Sequence, residues 1–116
     1  MEEELKKIKE ENENYLNKFY KYLENQKLSK KTIEENISNM DFYLNHYLCN
    51  YELKHAEDGF EYVNGYLNDW FIRKASWSSA ATIKSNTVSI KKFYLFMLED
   101  NKISKEDYEF FCKLLE

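Results

Sequence analysis

The sequence predicts an all-α fold, a compact bundle of four to five helices, and three observations carry that expectation. The 116 residues include no proline and only two glycines, Gly59 and Gly65, so the residues that build tight turns and hairpins are nearly absent. Apolar side chains recur at three- and four-residue steps in successive stretches, the spacing of one helix face. Ten Tyr, eight Phe and two Trp supply the bulk to fill a core in a chain of single-domain length.

The first stretch runs from about Glu4 to Gln26, with Leu5, Ile8, Tyr15, Leu16, Phe19, Tyr22 and Leu23 on one face. Its start, residues 1–14, holds six acids against three lysines and few large apolar groups. It is predicted to be a charged helical extension that frays, with residues 15–116 forming the domain proper. Ser29 then stands where a side chain can accept from first-turn amides, ahead of Ile33, Ile37, Met40, Leu44, Tyr47 and Leu48. Cys49 to Gly59 has no period and reads as a loop. Phe60, Val63, Tyr66, Leu67, Trp70 and Phe71 restore the helical step for a third helix. After a break of small residues, Ala75 to Ser79, a long fourth helix carries Ile83, Val88, Ile90, Phe93, Tyr94, Met97 and Leu98 and ends near Asn101. Ser104, with Asp107 three residues on, resembles a capping arrangement and opens a short fifth helix with Tyr108, Phe111, Leu114 and Leu115.

Several function classes find no support. No apolar run approaches bilayer length and the first residues are charged, which predicts a cytoplasmic protein with no membrane partner. Cys49 and Cys112 lie far apart without CxxC or Cys/His spacing, so neither a metal site nor a disulfide framework is expected, and both read as buried small hydrophobes. His46 and His55 are the only imidazoles, and neither has a nucleophile or ligand set at a recognisable spacing. There is no phosphate-cradling glycine loop. Arg73 is the single arginine, which rules out a clamp of two guanidinium forks on a transferring phosphoryl group within this chain. A non-enzymatic domain is expected, with no cofactor and no small-molecule substrate.

The net charge of -4 argues against a protein that coats nucleic acid indiscriminately, yet it hides a polarised distribution. Residues 70–92 hold Arg73, Lys74, Lys84, Lys91 and Lys92 with no acid, and residues 27–31 hold three lysines with none. The acids gather elsewhere, five against Lys54 in residues 52–69 and six against three lysines in residues 99–116. The start of the fourth helix also carries Ser76, Ser78, Ser79, Thr82, Ser85, Asn86, Thr87 and Ser89, short side chains able to bond phosphate oxygens and base edges. Two helix starts, Ser29 to Thr32 and Ser78 to Lys84, are thus hydroxyl-rich and basic, and their free amides attract phosphate. On charge alone the pattern fits either the solvated side of two helices or a nucleic-acid face.

A family resemblance bears on that choice. Tyr15-Leu16-Asn17-Lys18-Phe19-Tyr20-Lys21-Tyr22-Leu23, then Leu28-Ser29-Lys30-Lys31-Thr32-Ile33 and Met40-Asp41-Phe42-Tyr43-Leu44, resemble the opening of the integrase SAM-like, or core-binding, domain of tyrosine recombinases. Tyr66-Leu67-Asn68-Asp69-Trp70, Ser78-Ser79, Thr82-Ile83, Ser89 to Met97 and Asn101-Lys102-Ile103-Ser104 resemble its later helices in order and spacing. The resemblance covers the chain from about Tyr15 onward. It implies one half of a clamp around double-stranded DNA, with the second and fourth helices toward the major groove. A recombinase catalytic domain or another recombinase subunit would be a further partner. The arginines, histidine motifs and tyrosine nucleophile of a recombinase catalytic domain are not matched here, so no catalytic residue is assigned. The resemblance and the charge pattern together nominate Lys30, Lys31, Thr32, Arg73, Lys74, Ser79, Thr82, Lys84, Ser85, Asn86, Lys91 and Lys92 as DNA contacts. The lysines would anchor phosphates, and Thr82, Ser85 and Asn86 would face base edges. Glu34, Glu35 and Asp41 on the second helix would weaken phosphate attraction there, which favours the fourth helix. Trp70 reads as packing, whereas Trp77, between serines, fits either base stacking or contact with a partner domain. The competing reading is a protein-interaction module, or a recombinase fragment or remnant that does not bind DNA on its own.

Overall fold

A computed structural model describes residues 2–75 and 78–116, and among these five helical units account for most of the chain and no strand occurs. Ser76 and Trp77 lie outside the described residues, so the alternatives for Trp77 are left as the sequence states them. Helix α1 (Glu2–Asn25) opens with Glu2, Glu3 and Glu4, acids that suit the positive end of a helix dipole. Residues 2–14, where the composition suggested fraying, are helical and continuous with the rest of α1. Ile8 and Asn12 are almost wholly buried, and the Asn12 amide donates to Asn45 Oδ1 at 2.8 Å. One apolar side chain and one buried amide are enough to dock the charged turn, and α1 runs unbroken across the expected boundary at residue 14.

Helix α2 (Lys30–Asp41) starts at Ser29, whose Oγ accepts from the Thr32 amide at 3.2 Å, the cap that the sequence indicated. It then continues as a π-helical segment (Phe42–Glu52) that ends at Leu53 in the left-handed conformation, φ 49°. The loop expected from Cys49 onward therefore starts four residues later. A wider helical turn lets neighbouring positions share the inner face, and Tyr43, Leu44, Tyr47, Leu48 and Cys49 are all buried.

The third unit, α3, is irregular: a 3₁₀ stretch (Ala56–Tyr62), one α-turn (Val63–Gly65), a π-turn (Tyr66–Trp70) and a final α-turn (Phe71–Lys74). Its opening falls inside the expected loop because the acids Glu57 and Asp58 interrupt the apolar period while Ala56 and Phe60 still face the core. Gly59 marks the closest approach. A Cβ there would stand 2.5 Å from Leu48 Cδ1 and 2.6 Å from the Tyr94 hydroxyl. Helices α4 (Ala80–Glu99) and α5 (Lys105–Leu114) begin at Ser79 and Ser104, each of which accepts from the third amide of its helix.

One aromatic core ties the units together. Phe19 of α1 meets Phe93 edge-on at 5.3 Å, and Tyr43, Tyr47, Tyr66 and Phe71 stack or tilt against one another between the π-helical segment and α3. Buried phenols keep their bonds. Tyr43 donates to the Gly59 carbonyl at 2.6 Å and Tyr94 to the Ala56 carbonyl at 3.0 Å. Burial pushes both phenols well above their ordinary pKa, so they remain protonated donors.

Candidate nucleic-acid interface

The basic segments meet because α2 packs along α4 through small polar side chains. Asn39 donates to Ser85 at 3.0 Å and to Ser89 at 2.9 Å, and Ser89 donates to Asn36 Oδ1 at 2.7 Å. Glu35, Asn36 and Asn39 of α2 thus meet Ser85 and Ser89 of α4. Along this seam lies an open groove of about 360 Å³ lined by Thr32, Glu35, Asn36, Ala81, Lys84, Ser85, Val88, Ser89 and Lys92. Four nominated residues, Thr32, Lys84, Ser85 and Lys92, thus share one groove, although 60 positions separate Thr32 from Lys92 in the chain.

The acids of α2 divide between two sides. Glu35 lines the basic groove and accepts from Ser85 at 3.3 Å. Glu34 and Asp41 instead line a second groove, of about 790 Å³, between α1 and α2, with Lys9, Glu13, Leu16, Tyr20 and Ile37. Only one of the three acids that the sequence set against phosphate binding therefore stands where it would act.

Other nominated residues take different places. Lys30, Lys31 and Lys74 are exposed, at the start of α2 and the end of α3. Arg73 is exposed but held by Asp69 one turn earlier, with its Nε and Nη2 donating to the two carboxylate oxygens at 2.8 and 2.9 Å. Lys91 lies on the α5 side, lining a hollow with Tyr108, Phe111 and Cys112. Ser79 and Thr82 form a reciprocal capping box: Ser79 Oγ accepts from the Thr82 amide at 3.2 Å and Thr82 Oγ1 accepts from the Ser79 amide at 2.8 Å. Their hydroxyls set the start of α4, and what they offer an anion is the first turn of amides beneath them.

Asn86 faces inward and is 4% exposed. It accepts from the Tyr66 hydroxyl at 3.3 Å and donates to the Thr82 carbonyl at 2.9 Å, so it is a core bond rather than a base-edge reader. Ser89 is likewise buried, and Thr87 bonds back to the Ile83 carbonyl at 2.8 Å. Hydroxyls and amides at helix positions look alike in a sequence whether they line a solvent face or a polar seam. Trp70 packs among Phe42, Tyr47 and Tyr66, as the spacing suggested. Cys49 is buried, but Cys112, expected to be buried too, is exposed at the edge of α5.

Asn39 was not singled out by the sequence, although it holds both serines of α4. His55 is the second omission. It sits half-buried before α3 with Glu11 Oε1 at 2.7 Å from Nδ1 and Glu4 Oε1 at 3.2 Å from Nε2, and the bond to Glu11 leads the effects that raise its pKa. Its partners lie more than forty positions away, so no local spacing revealed them. Among the described residues no helix is long and apolar enough to cross a membrane. No protein-family model matches the chain, and no curated protein or solved structure gives a significant match.

Proposed function

We propose that this chain is a DNA-binding helical domain of the phage-integrase, tyrosine-recombinase type, forming one half of a clamp on duplex DNA in site-specific recombination or integration. The observation that supports it best is the groove between α2 and α4, where Thr32, Lys84, Ser85 and Lys92 converge beside a single acid. Lys30, Lys31, Lys84 and Lys92 neutralise phosphates, Lys74 adds a charge at the end of α3, and Ser85 and Thr32 reach base edges. On this reading the domain binds and orients DNA and performs no bond chemistry. A recombinase catalytic domain or a second recombinase subunit supplies that.

Fluorescence anisotropy with an attachment-type duplex and a scrambled duplex tests the reading at several salt concentrations. Three to five phosphate contacts give a slope of log K against log salt of about -3 to -4.5. Lys84→Glu with Lys92→Glu is expected to weaken binding at least about tenfold and to reduce the slope by about 2, and Lys91→Glu to do much less. Absence of binding to either duplex at low salt, with the protein folded, overturns autonomous DNA binding. The rival reading, a protein-interaction module, has its own support in the groove between α1 and α2, where Leu16, Tyr20 and Ile37 lie among Glu13, Glu34 and Asp41.

A further inference from the structure

Away from the basic groove, three chain segments bring donor atoms of two kinds to one point. Glu11 comes from α1, His55 from the link after the π-helical segment, and Glu57 from the 3₁₀ opening of α3. One ligand atom from each lies within 4.8 Å of the others. His55 Nδ1 is 2.7 Å from Glu11 Oε1 and 3.8 Å from Glu57 Oε1. All three side chains are half-buried, with 28 to 33% of each exposed, so the cluster is neither a solvated acidic patch nor sealed from ions.

The surroundings prepare each donor. His55 Nε2 faces Glu4 Oε1 at 3.2 Å, the carboxylate partner that metal-bound histidines regularly have on the nitrogen not bound to the ion. With Nε2–H donating to Glu4, Nδ1 faces two carboxylate oxygens, a place that a proton on the ring fills in the free protein and a metal ion takes by displacing it. Glu57 is fixed in turn, because Tyr15 donates its hydroxyl to Glu57 Oε2 at 2.5 Å and leaves Oε1 for His55. We propose that Glu11, His55 and Glu57 form a binding site for one divalent transition-metal ion of the zinc class, with Glu4 and Tyr15 orienting the ligands.

The geometry is close to what such an ion needs. Zinc bonds of about 2.0–2.1 Å in a tetrahedron hold ligand atoms about 3.3 Å apart. The two distances from Nδ1, 2.7 and 3.8 Å, fall on either side of that value, so each changes by about half an ångström, within reach of side-chain rotation. One imidazole with two carboxylates suits zinc, cobalt or manganese better than calcium or magnesium, which favour all-oxygen shells. A fourth position is left to water. The ion fastens the charged first half of α1 to the opening of α3.

The test is thermal unfolding of the metal-free protein with and without zinc chloride, together with cobalt(II) titration followed by visible absorption. Saturating zinc is expected to raise Tm by roughly 5 °C at one ion per chain, and cobalt to give d–d bands of a low-coordinate site. Both effects disappear in His55→Gln and in Glu57→Gln, which keep similar volume, and urea midpoints in the absence of metal show that these variants are folded. Glu11→Gln serves as the third variant should His55→Gln not fold. A Cys112→Ser protein retains the full response, since that exposed thiol and His46 are the other exposed soft donors. No rise in Tm, a rise that survives His55→Gln, or one lost in Cys112→Ser overturns the site. DNA binding is read separately, so failure here leaves the function proposed above intact, and the reverse also holds.

Discussion

Helix α2 and its continuation meet the rest of the molecule in two contrasting ways. Below Asp41 the helix faces α4 through Asn36, Asn39, Ser85 and Ser89, a seam of short side chains joined by directed bonds. Above it the π-helical segment faces α3 through Tyr43, Tyr47, Tyr66 and Trp70, a wall of rings with centroids 4.7 to 5.7 Å apart. Rings bury area and supply most of the cohesion there, whereas the seam buries little and fixes how the helices sit relative to one another. The basic groove lies over the seam. The groove lined by Lys84 and Lys92 is thus carried by the part of the fold whose geometry is set by hydrogen bonds.

Substitutions on the two sides sharpen that contrast. The largest effect belongs to the wall: Tyr66→Ala removes a buried ring and its bond to Asn86, and a loss of about 3–5 kcal/mol in the free energy of unfolding measured with urea is expected. A loss below about 1 kcal/mol would show that the wall is not the main source of cohesion. Next comes Gly59→Ala, where the new methyl meets Leu48 and the Tyr94 hydroxyl, with an expected cost of about 1–3 kcal/mol in the same measurement. Ser89→Ala is expected to cost about 1–2 kcal/mol, because Asn36 Oδ1 and one donor contact of Asn39 lose their partner. It should also weaken DNA binding more than its stability loss explains. If anisotropy shows unchanged affinity, the seam does not position the groove. The smallest change is a gain. Lys27, at φ 60° just after α1, takes a conformation that glycine adopts without steric cost, so Lys27→Gly is expected to add up to about 1 kcal/mol in thermal unfolding.

The same contrast shows what a sequence discloses. Apolar residues reveal their helix and their face, so Trp70 and the order of the helices were legible, as were the caps at Ser29 and Ser104. Polar residues reveal their helix but not their face. Asn86 and Ser89 carry the same chemistry as Ser85, yet those two are buried and Ser85 is half-buried, a distinction made by the rotation of α4 against α2. The π-helical segment was not legible because its residues keep nearly the same apolar spacing as an α-helix while closing a wider turn. Long-range convergence was invisible altogether. The groove unites the first turns of α2 with residues 81–92 of α4, and the cluster at His55 draws on Glu4, Glu11 and Glu57 across more than fifty positions.

The uneven distribution of charge carries an electrical consequence. Viewed from afar, the overall charge of -4 repels a polyanion. Close up, within about a Debye length of 8–10 Å, the lysines of the groove dominate. If the proposed DNA-binding role holds, such a surface would do little to hasten a first encounter with a duplex and much to decide the register in which it settles.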